Sequence, residues 1–242
     1  LHDAATARAA IASVGRLFDN FSEDFIIGLP YDTDDIVADE LKEAAASAPH
    51  ISVYQLTLEE GTPLARAVEE DRVMLPTEDE TADYMELAID TLAPYARERY
   101  EVSNFALNGF ESVHNLGYWT REEYLGLGAG AHSLVRSAAD GTPLAAEIRF
   151  ASPEDLNAYI GGVNCVGAFD DVPRAEMSVL TPDEIRAESI MLGLRTAYGI
   201  DEKLLEGRDI GRVEALFERK EGRIRLTRRG LQVMNSVLAE II

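Results

Sequence analysis

The chain has 242 residues, with 22 Lys+Arg against 44 Asp+Glu and a formal charge of −22. At roughly 100–200 residues per domain this is one large domain or two modest ones, and so acidic a chain repels polyphosphate, which argues against a coat for DNA, RNA or an anionic membrane. Hydrophobic residues at 46% suit a packed core, while the single cysteine, Cys165, excludes an internal disulfide framework and any Cys-only zinc or iron–sulfur site made from this chain alone.

The chain begins at Leu1, without Met, and enters a helix at once, so it is expected to be a piece of something longer. Residues 3–18 read as that helix. Asp3 can cap it, and Ile11, Val14, Leu17 and Phe18 fall on one face. Asp24-Phe25-Ile26-Ile27-Gly28-Leu29-Pro30 is a short apolar run ended by Gly and Pro, the pattern of a buried strand. Asp32, Thr33 and Asp34 offer N-caps for a helix to about Ala46. Residues 50–57 read as a second strand. Thr62-Pro63 opens a helix, with Thr62 as N-cap and Pro63 at the first position. Thr77 and Glu80 have the spacing of a capping box for another, with Tyr84, Leu87, Ala88, Ile89 and Leu92 inward. Residues 99–104 read as a third strand. Helix and strand alternate, which predicts an α/β fold with a parallel sheet. Three strands are too few to close a barrel, so either the sheet is open or other strands are missing.

Residues 105–135 change character, with Gly, Asn, His, Trp and Tyr concentrated there. They end in a Gly- and Ala-rich run before His132, read as a strand in close backbone approach to a ligand or another strand. Residues 136–150 read as an exposed hairpin or loop around Asp140-Gly141. Pro153, Glu154 and Asp155 start a short helix. A domain boundary falls near 166–180, giving domains of 1–165 and 175–242. Thr181-Pro182-Asp183-Glu184 is a strong helix start. A helix near 209–218, a strand pair around Arg223–Leu226 and a final helix from Thr227 to Ile241 complete a winged-helix-like pattern. No stretch approaches the ~18–20 uncharged apolar residues of a membrane helix. No signal-peptide pattern is present, so the expected location is cytoplasmic.

Several positions could carry chemistry. Asp24 is either a strand-start carboxylate or a ligand contact. Thr57 and Asn104 are polar residues near strand ends, where ligands gather in α/β sheets. His114-Asn115-Leu116-Gly117-Tyr118-Trp119 is the densest cluster and holds the only Trp. An imidazole can ligate haem iron and flat aromatics can stack on a porphyrin; the same residues could equally plug the end of a barrel by packing. His132 follows small residues that leave room for a flat ligand or for tight sheet packing. Residues 208–229 carry eight Arg/Lys against four acidic residues, either a nucleic-acid face or a solvated one. The repulsive field of the rest of the chain favours the second, and no nucleic-acid partner is expected.

These motifs together, with Ser52-Val53-Tyr54-Gln55-Leu56-Thr57, Glu60-Gly61-Thr62-Pro63, Tyr100-Glu101-Val102-Ser103-Asn104-Phe105-Ala106, Tyr124-Leu125-Gly126-Leu127-Gly128 and Gly130-Ala131-His132-Ser133 in order, resemble the radical S-adenosylmethionine family of oxygen-independent coproporphyrinogen III oxidase-like proteins. The His114-Asn115-x-x-Tyr118-Trp119 cluster is similar to its haem-chaperone branch. Met191-Leu192-Gly193-Leu194-Arg195 and Arg225-Leu226-Thr227-x-x-Gly230 resemble the family's C-terminal domain. The resemblance implies the second half of a partial (β/α)6 TIM-like barrel, followed by a small, helical, winged-helix-like domain. It implies a [4Fe-4S] cluster and S-adenosylmethionine in the intact protein, with Asp24 matching an aspartate that helps bind S-adenosylmethionine and Thr57 at a strand end beside it. It implies haem as ligand, with His114 matching the histidine linked to haem, Trp119 and His132 near it, and haem-accepting client proteins as partners. The family's Cys-x3-Cys-x2-Cys motif has no counterpart here, so the cluster-binding N-terminal half of the barrel is missing. This chain alone is expected to bind none of these groups and to be inactive as a radical enzyme. The alternatives are a coproporphyrinogen oxidase of porphyrin biosynthesis and a non-catalytic winged-helix module.

Overall fold

A computed structural model of the protein describes residues 3–137, 146–163 and 174–242. Cys165, the Asp140-Gly141 turn and much of the expected domain boundary lie outside the described residues. The chain divides into two compact units: Leu1–Ser112 with Thr196–Tyr198 and Leu226–Met234, and Val113–Arg195 with Gly199–Arg225 and Asn235–Ile242.

The first unit opens with helix α1 (Ala4–Leu17), where the Asp3 carboxylate accepts the Thr6 N–H at 2.8 Å. Strand β1 (Ser22–Ile27) leads to α2 (Asp34–Ser47), capped by Thr33. Strand β2 (His50–Gln55) pairs parallel with β1, Asp24 opposite Ser52. Helix α3 (Pro63–Glu69) has Thr62 as N-cap and Pro63 in its first turn. Helix α4 (Glu78–Leu92) carries the full capping box: Glu80 N–H donates to Thr77 Oγ1 and Thr77 N–H to Glu80 Oε2. Together these bonds satisfy donors that a helix start otherwise leaves orphaned.

The third strand departs from expectation. Residues 99–104 do not form one parallel strand. The chain makes β3 (Glu98–Arg99) and β4 (Asn104–Ala106), antiparallel to each other, and β4 is antiparallel to β2. The sheet is therefore mixed, in the order β1-β2-β4-β3. The polar run between β3 and β4 turns the chain back. Arg99 donates to the carbonyls of Glu101 and Val102, and Ser103 N–H donates to Glu101 Oε1. Polar groups that a continuous strand would pair sideways are satisfied inside the turn instead.

Strand periodicity then divides the sheet into two faces. Ile27, Ile51, Val53 and Phe105 join Val37, Leu41, Ala44 and Ala45 of α2 and Tyr84, Met85, Ala88 and Leu92 of α4 in one apolar core. The alternate residues, Ser22, Asp24, His50, Ser52 and Asn104, belong to the other face.

In the second unit, α5 (Val113–Trp119) precedes β5 (His132–Ser137), β6 (Ala146–Ala151), α6 (Leu156–Val163) and β7 (Glu176–Val179). The strands form an antiparallel sheet, β5-β6-β7. Its β5–β6 pairing fits the expected hairpin. Strand β7 was not expected; all four of its residues are exposed, so it has no buried stripe to betray it. The Gly/Ala run before His132 is not a strand. A Cβ on Gly126 would lie 2.1 Å from the His132 carbonyl oxygen, so the small residue serves a close approach of the chain to itself.

Helix α7 (Pro182–Gly193) repeats the capping box with Thr181 and Glu184. Strands β8 (Ile200–Asp201), β9 (Phe217–Lys220) and β10 (Arg223–Leu226) form a small sheet ordered β8-β10-β9. Glu221 and Gly222, with φ 54 and 75, make the tight turn between β9 and β10. The helix expected at 209–218 reduces to a 3-10 turn, Glu214–Leu216. Asp209 Oδ1 accepts the Gly211 N–H there, a local bond that competes with helix. The expected last helix is broken at Val233 into α8 (Arg228–Gln232), in the first unit, and α9 (Met234–Ile241), nearly all in the second. Gly230 and the β-branched Val233 flank the joint, both poor helix formers.

Candidate functional site

The first unit presents a polar row across three strands. Asp24 lies opposite Ser52, and Ser52 opposite Asn104. Asp24 is exposed, whereas Ser52 and Asn104 are buried. Beside the row, His50 is also buried and spans two partners. Its Nδ1 is 2.8 Å from Ser22 Oγ, and its Nε2 is 2.8 Å from the Tyr100 hydroxyl. Ser22 Oγ donates to Asp24 Oδ1 at 3.1 Å, and the Tyr100 oxygen accepts the Ser112 N–H at 3.1 Å. Burial lowers the His50 pKa against the pull of Asp24 and Glu111, so its neutral form is favoured. Burial likewise pushes the Tyr100 phenol up to about 12, keeping it protonated.

Asn104 completes the row with an unmet acceptor. Its amide hydrogen-bonds Glu101, but Oδ1 is buried without a partner. Burial raises the Glu101 pKa despite the Ser103 and Asn104 bonds that favour its anion.

The second unit carries the aromatic cluster. His114 meets Tyr118 edge-on, with ring centroids 4.8 Å apart, and Tyr118 meets Tyr124 in the same way at 4.8 Å. The spacing of His114 and Tyr118 by four puts both on one side of α5. Tyr124 is anchored by two backbone bonds to Leu134 of β5. A groove of about 180 Å³ lies here, lined by His114, Tyr118, Tyr124, Glu122 and Glu123 among others. Just past α5, Arg121 is buried and ion-paired with Glu147 at 2.6 Å and with Glu188 at 3.1 Å. Arg149 grips Glu188 at 2.7 Å and Arg136 reaches Glu147 at 3.1 Å. Burial works against the Glu188 anion, but Arg149 and Arg121 outweigh it and hold its pKa below the usual carboxylate value.

Asp24 therefore stands within a hydrogen-bonded row. Thr57 does not join it: it is exposed, two residues past the end of β2 and five beyond Ser52, the residue opposite Asp24. Asn104 begins its strand, and does so inside the row. His114 is exposed among tyrosines. Trp119 is a half-buried residue of the same helix whose Nε1 is buried without a partner. His132 is exposed at the start of β5 and is not among the groove's lining residues. Sequence reading missed Ser22, His50 and Tyr100. Period two from Ser52 already puts His50 on its face, and that signal could have found it.

The groups implied by the resemblance fit unequally. Three thiolates for a cluster do not exist in a chain with one cysteine. The Asp24 carboxylate, exposed at one end of a row that passes through Ser52 to the orphaned Asn104 acceptor, suits a ligand bearing cationic and hydrogen-bond-donating groups. The exposed His114 imidazole suits an axial iron ligand, but the groove is below the ~300–1,000 Å³ of enclosing ligand pockets. It can receive one edge of a macrocycle and cannot enclose it. Half of the basic stretch pairs with the chain's own carboxylates: Arg212 with Glu240, Arg219 with Glu202 and Glu214, Arg225 with Glu218, Arg228 with Glu86 and Asp90.

No protein-family profile matches the chain. Among curated proteins it is similar to the heme chaperone HemW of Lactococcus lactis subsp. lactis (strain IL1403), 30% identical over 239 residues, covering 93% of this chain and 59% of that protein. It is 32% identical over 187 residues to the heme chaperone HemW of Bacillus subtilis (strain 168), covering 77% and 46%. It is 45% identical over 92 residues to the mitochondrial radical S-adenosyl methionine domain-containing protein 1 of Danio rerio, covering 38% and 21%. The chain thus spans less than two thirds of the length of these relatives. Among solved structures it is similar in fold to the coproporphyrinogen III oxidase HemN of Escherichia coli, described as a radical SAM enzyme, with a TM-score of 0.68, 17% identity, and 99% of this chain and 58% of that one covered.

Proposed function

The chain belongs to the radical S-adenosylmethionine family of HemW and HemN, and from that premise we propose that it is part of a haem chaperone that binds haem through His114 and passes it to client proteins. The observation that carries this reading is the exposed His114 imidazole packed edge-on against Tyr118 in a tyrosine-lined groove. Haem would supply an iron that an imidazole nitrogen of His114 could hold. The chain's own part is to hold that imidazole at a fixed angle. Tyr118 braces the ring and Tyr124 braces Tyr118, while the Arg121 ion pairs lie just past the end of α5. A groove open to solvent suits a carrier, because a carrier must release its cargo.

In the same reading the first unit is the second half of a partial (β/α)6 barrel, within a barrel domain to residue 165. Residues 175–242 are a winged-helix-like C-terminal domain. Asp24 and Thr57 contact S-adenosylmethionine, and the missing half of the barrel supplies the cluster thiolates. Trp119 and His132 flank the haem, and the protein works in the cytoplasm.

The test is a haemin titration of the full-length protein and of its His114→Ala variant. The expected result is a loss of affinity of tenfold or more and a changed Soret band. Equal affinity and unchanged spectra would overturn the assignment of His114. Turnover of coproporphyrinogen without retention of haem would replace the chaperone reading with the oxidase.

A further inference from the structure

The hydrogen bonds around His50 favour one assignment of protons, in which every donor finds an acceptor. A serine hydroxyl has one proton to donate, and a carboxylate can only accept. Ser22 Oγ lies 2.8 Å from His50 Nδ1, 3.1 Å from Asp24 Oδ1 and 3.4 Å from Ser52 Oγ, and only the carboxylate among these is bound to accept, so the Ser22 proton is assigned to Asp24 Oδ1. Ser22 Oγ must then accept from His50, so His50 carries its proton on Nδ1, 2.8 Å away. In the neutral ring Nε2 is then an acceptor, and it takes the Tyr100 O–H at 2.8 Å. The Tyr100 oxygen in turn accepts the Ser112 N–H at 3.1 Å. Every link is filled, from a backbone amide through Tyr100, His50 and Ser22 to an exposed carboxylate.

We propose that His50 is a positioning residue for Asp24: its Nδ1–H tautomer, selected by the Tyr100 hydroxyl, aims the Ser22 proton at Asp24 Oδ1 and so fixes the carboxylate with Oδ2 left to a cationic ligand. Resting as it does on the reading of Asp24 as a contact to S-adenosylmethionine, this deepens that reading: the cationic groups at issue are the sulfonium and ammonium of that cofactor. A relay of this kind also explains why a histidine is buried at the start of β2, where an apolar residue would pack at lower cost. Protonating His50 would break the pattern. With both ring nitrogens donating, Tyr100 would have to accept from His50 as well as from Ser112, and its own buried proton would need another acceptor. The charged groups that act on His50 are Asp24 of its neighbouring strand and Glu111. Both favour imidazolium, and burial opposes them.

Two measurements test the proposal. Nitrogen-15 NMR of the histidine-labelled chain should show His50 protonated at Nδ1 and bare at Nε2. It should stay neutral near pH 6.5, where a free imidazole is half charged. An Nε2–H tautomer, or an imidazolium at neutral pH, would overturn the relay. Equilibrium dialysis of S-adenosylmethionine against the full-length protein then compares Asp24→Asn, His50→Ala and His50→Asn. The expected pattern is about tenfold weaker binding for the first two and recovery in His50→Asn, whose amide N–H can stand in for Nδ1–H. A purely structural role for His50 would not favour recovery by one amide. Wild-type binding by Asp24→Asn sinks the reading of Asp24 as a cofactor contact. Weakened binding by Asp24→Asn alone, with His50→Ala unaffected, sinks the positioning role of His50.

Discussion

The two units solve the same problem with different chemistry. The first buries Leu41, Ile51, Leu92 and Phe105 between a sheet and two helices, and gathers Ser22, Asp24, His50, Ser52 and Asn104 on the opposite face. The second also buries Phe150, Ile190, Leu194 and Ile224, but threads charge through its interior as well, where Arg121 at 5% exposure bridges Glu147 and Glu188. Hydrocarbon packing is non-directional and tolerates volume-conserving change. A buried ion network is directional and costly to break, because removing one partner strands the others. The proposed haem-binding histidine thus sits in the unit that adds a buried charge network to its apolar core. The proposed cofactor aspartate sits on a sheet set by packing, with only its side-chain angle set by hydrogen bonds.

Breaking the second unit's network should have the largest effect. Arg121→Ala takes one of two counter-charges from each of Glu147 and Glu188, leaving Arg136 and Arg149 behind, and removes the buried member of the network, a loss of about 3–5 kcal/mol for a buried pair. Hydrogen exchange at the amides of α5 and β6 reads it in that unit directly. A loss below about 1 kcal/mol, the level of surface pairs, would mean the network is solvated and that the contrast between the units is false. Next comes Leu41→Ala in the first unit, which removes a side chain 1% exposed from the core. The expected cost is about 2–5 kcal/mol, depending on how far the cavity collapses. It should appear in exchange at β1 and β2 and leave the His114 cluster intact.

The pH response should show two opposite signs within the first unit, which holds both His50 and Glu101. His50 has a native pKa below its ordinary 6.5, from burial, so the unfolded chain binds the extra proton first. Its contribution to stability is complete above that value and is lost as pH falls toward the native pKa. Glu101 runs the other way: burial raises its native pKa, so its contribution is complete below the ordinary 4.5 and is lost as pH rises through the native value. Comparing wild type with His50→Asn isolates the first term. The advantage of wild type should be constant above about pH 6.5 and should shrink below it. A constant difference down to pH 5 would mean that His50 titrates alike in both states.

How much of this was legible in the sequence follows the range of the interactions. Caps at Asp3, Thr62, Thr77 and Thr181 are legible, and Thr33 as one of three candidates with Asp32 and Asp34, because the bonded groups lie three residues apart. The apolar periodicity of α2, α4 and β1 was equally local. The reversal at residues 100–103 was not, because Glu101 and Arg99 bind the turn through side chains that look like ordinary strand residues. Strand β7 was hidden by its exposure, and the Gly126 run was read as a strand when its small residues serve a self-approach. At the sites, family resemblance singled out Asp24 and His114 one by one. Their supports, Ser22 with His50 and Tyr118 with Tyr124, are contacts across strands and loops. Only His50 left a trace in the pattern, through its alternation with Ser52.

The smallest expected effect tests whether local signals act alike in both units. Thr77 and Thr181 are N-caps with the same reciprocal bonds: Glu80 Oε2 accepts the Thr77 N–H at 2.8 Å, and Glu184 Oε2 accepts the Thr181 N–H at 2.7 Å. Each threonine oxygen also accepts the N–H of its glutamate, at 3.2 and 3.3 Å. Both boxes hold the glutamate pKa below its ordinary value through the backbone bond first and the hydroxyl second. Thr77→Ala and Thr181→Ala should therefore each cost about 1 kcal/mol, regardless of whether the helix behind the cap packs on hydrocarbon or on ion pairs. The one built-in difference is Pro182, which pre-sets the first turn of α7 and offers no N–H to orphan. It should make α7 slightly the less sensitive of the two, as read by exchange at the first-turn amides of each helix. A Thr181→Ala cost well above that of Thr77→Ala would show the charged interior of the second unit leaning on its cap, and the two units would then differ at their helix ends as well as in their cores.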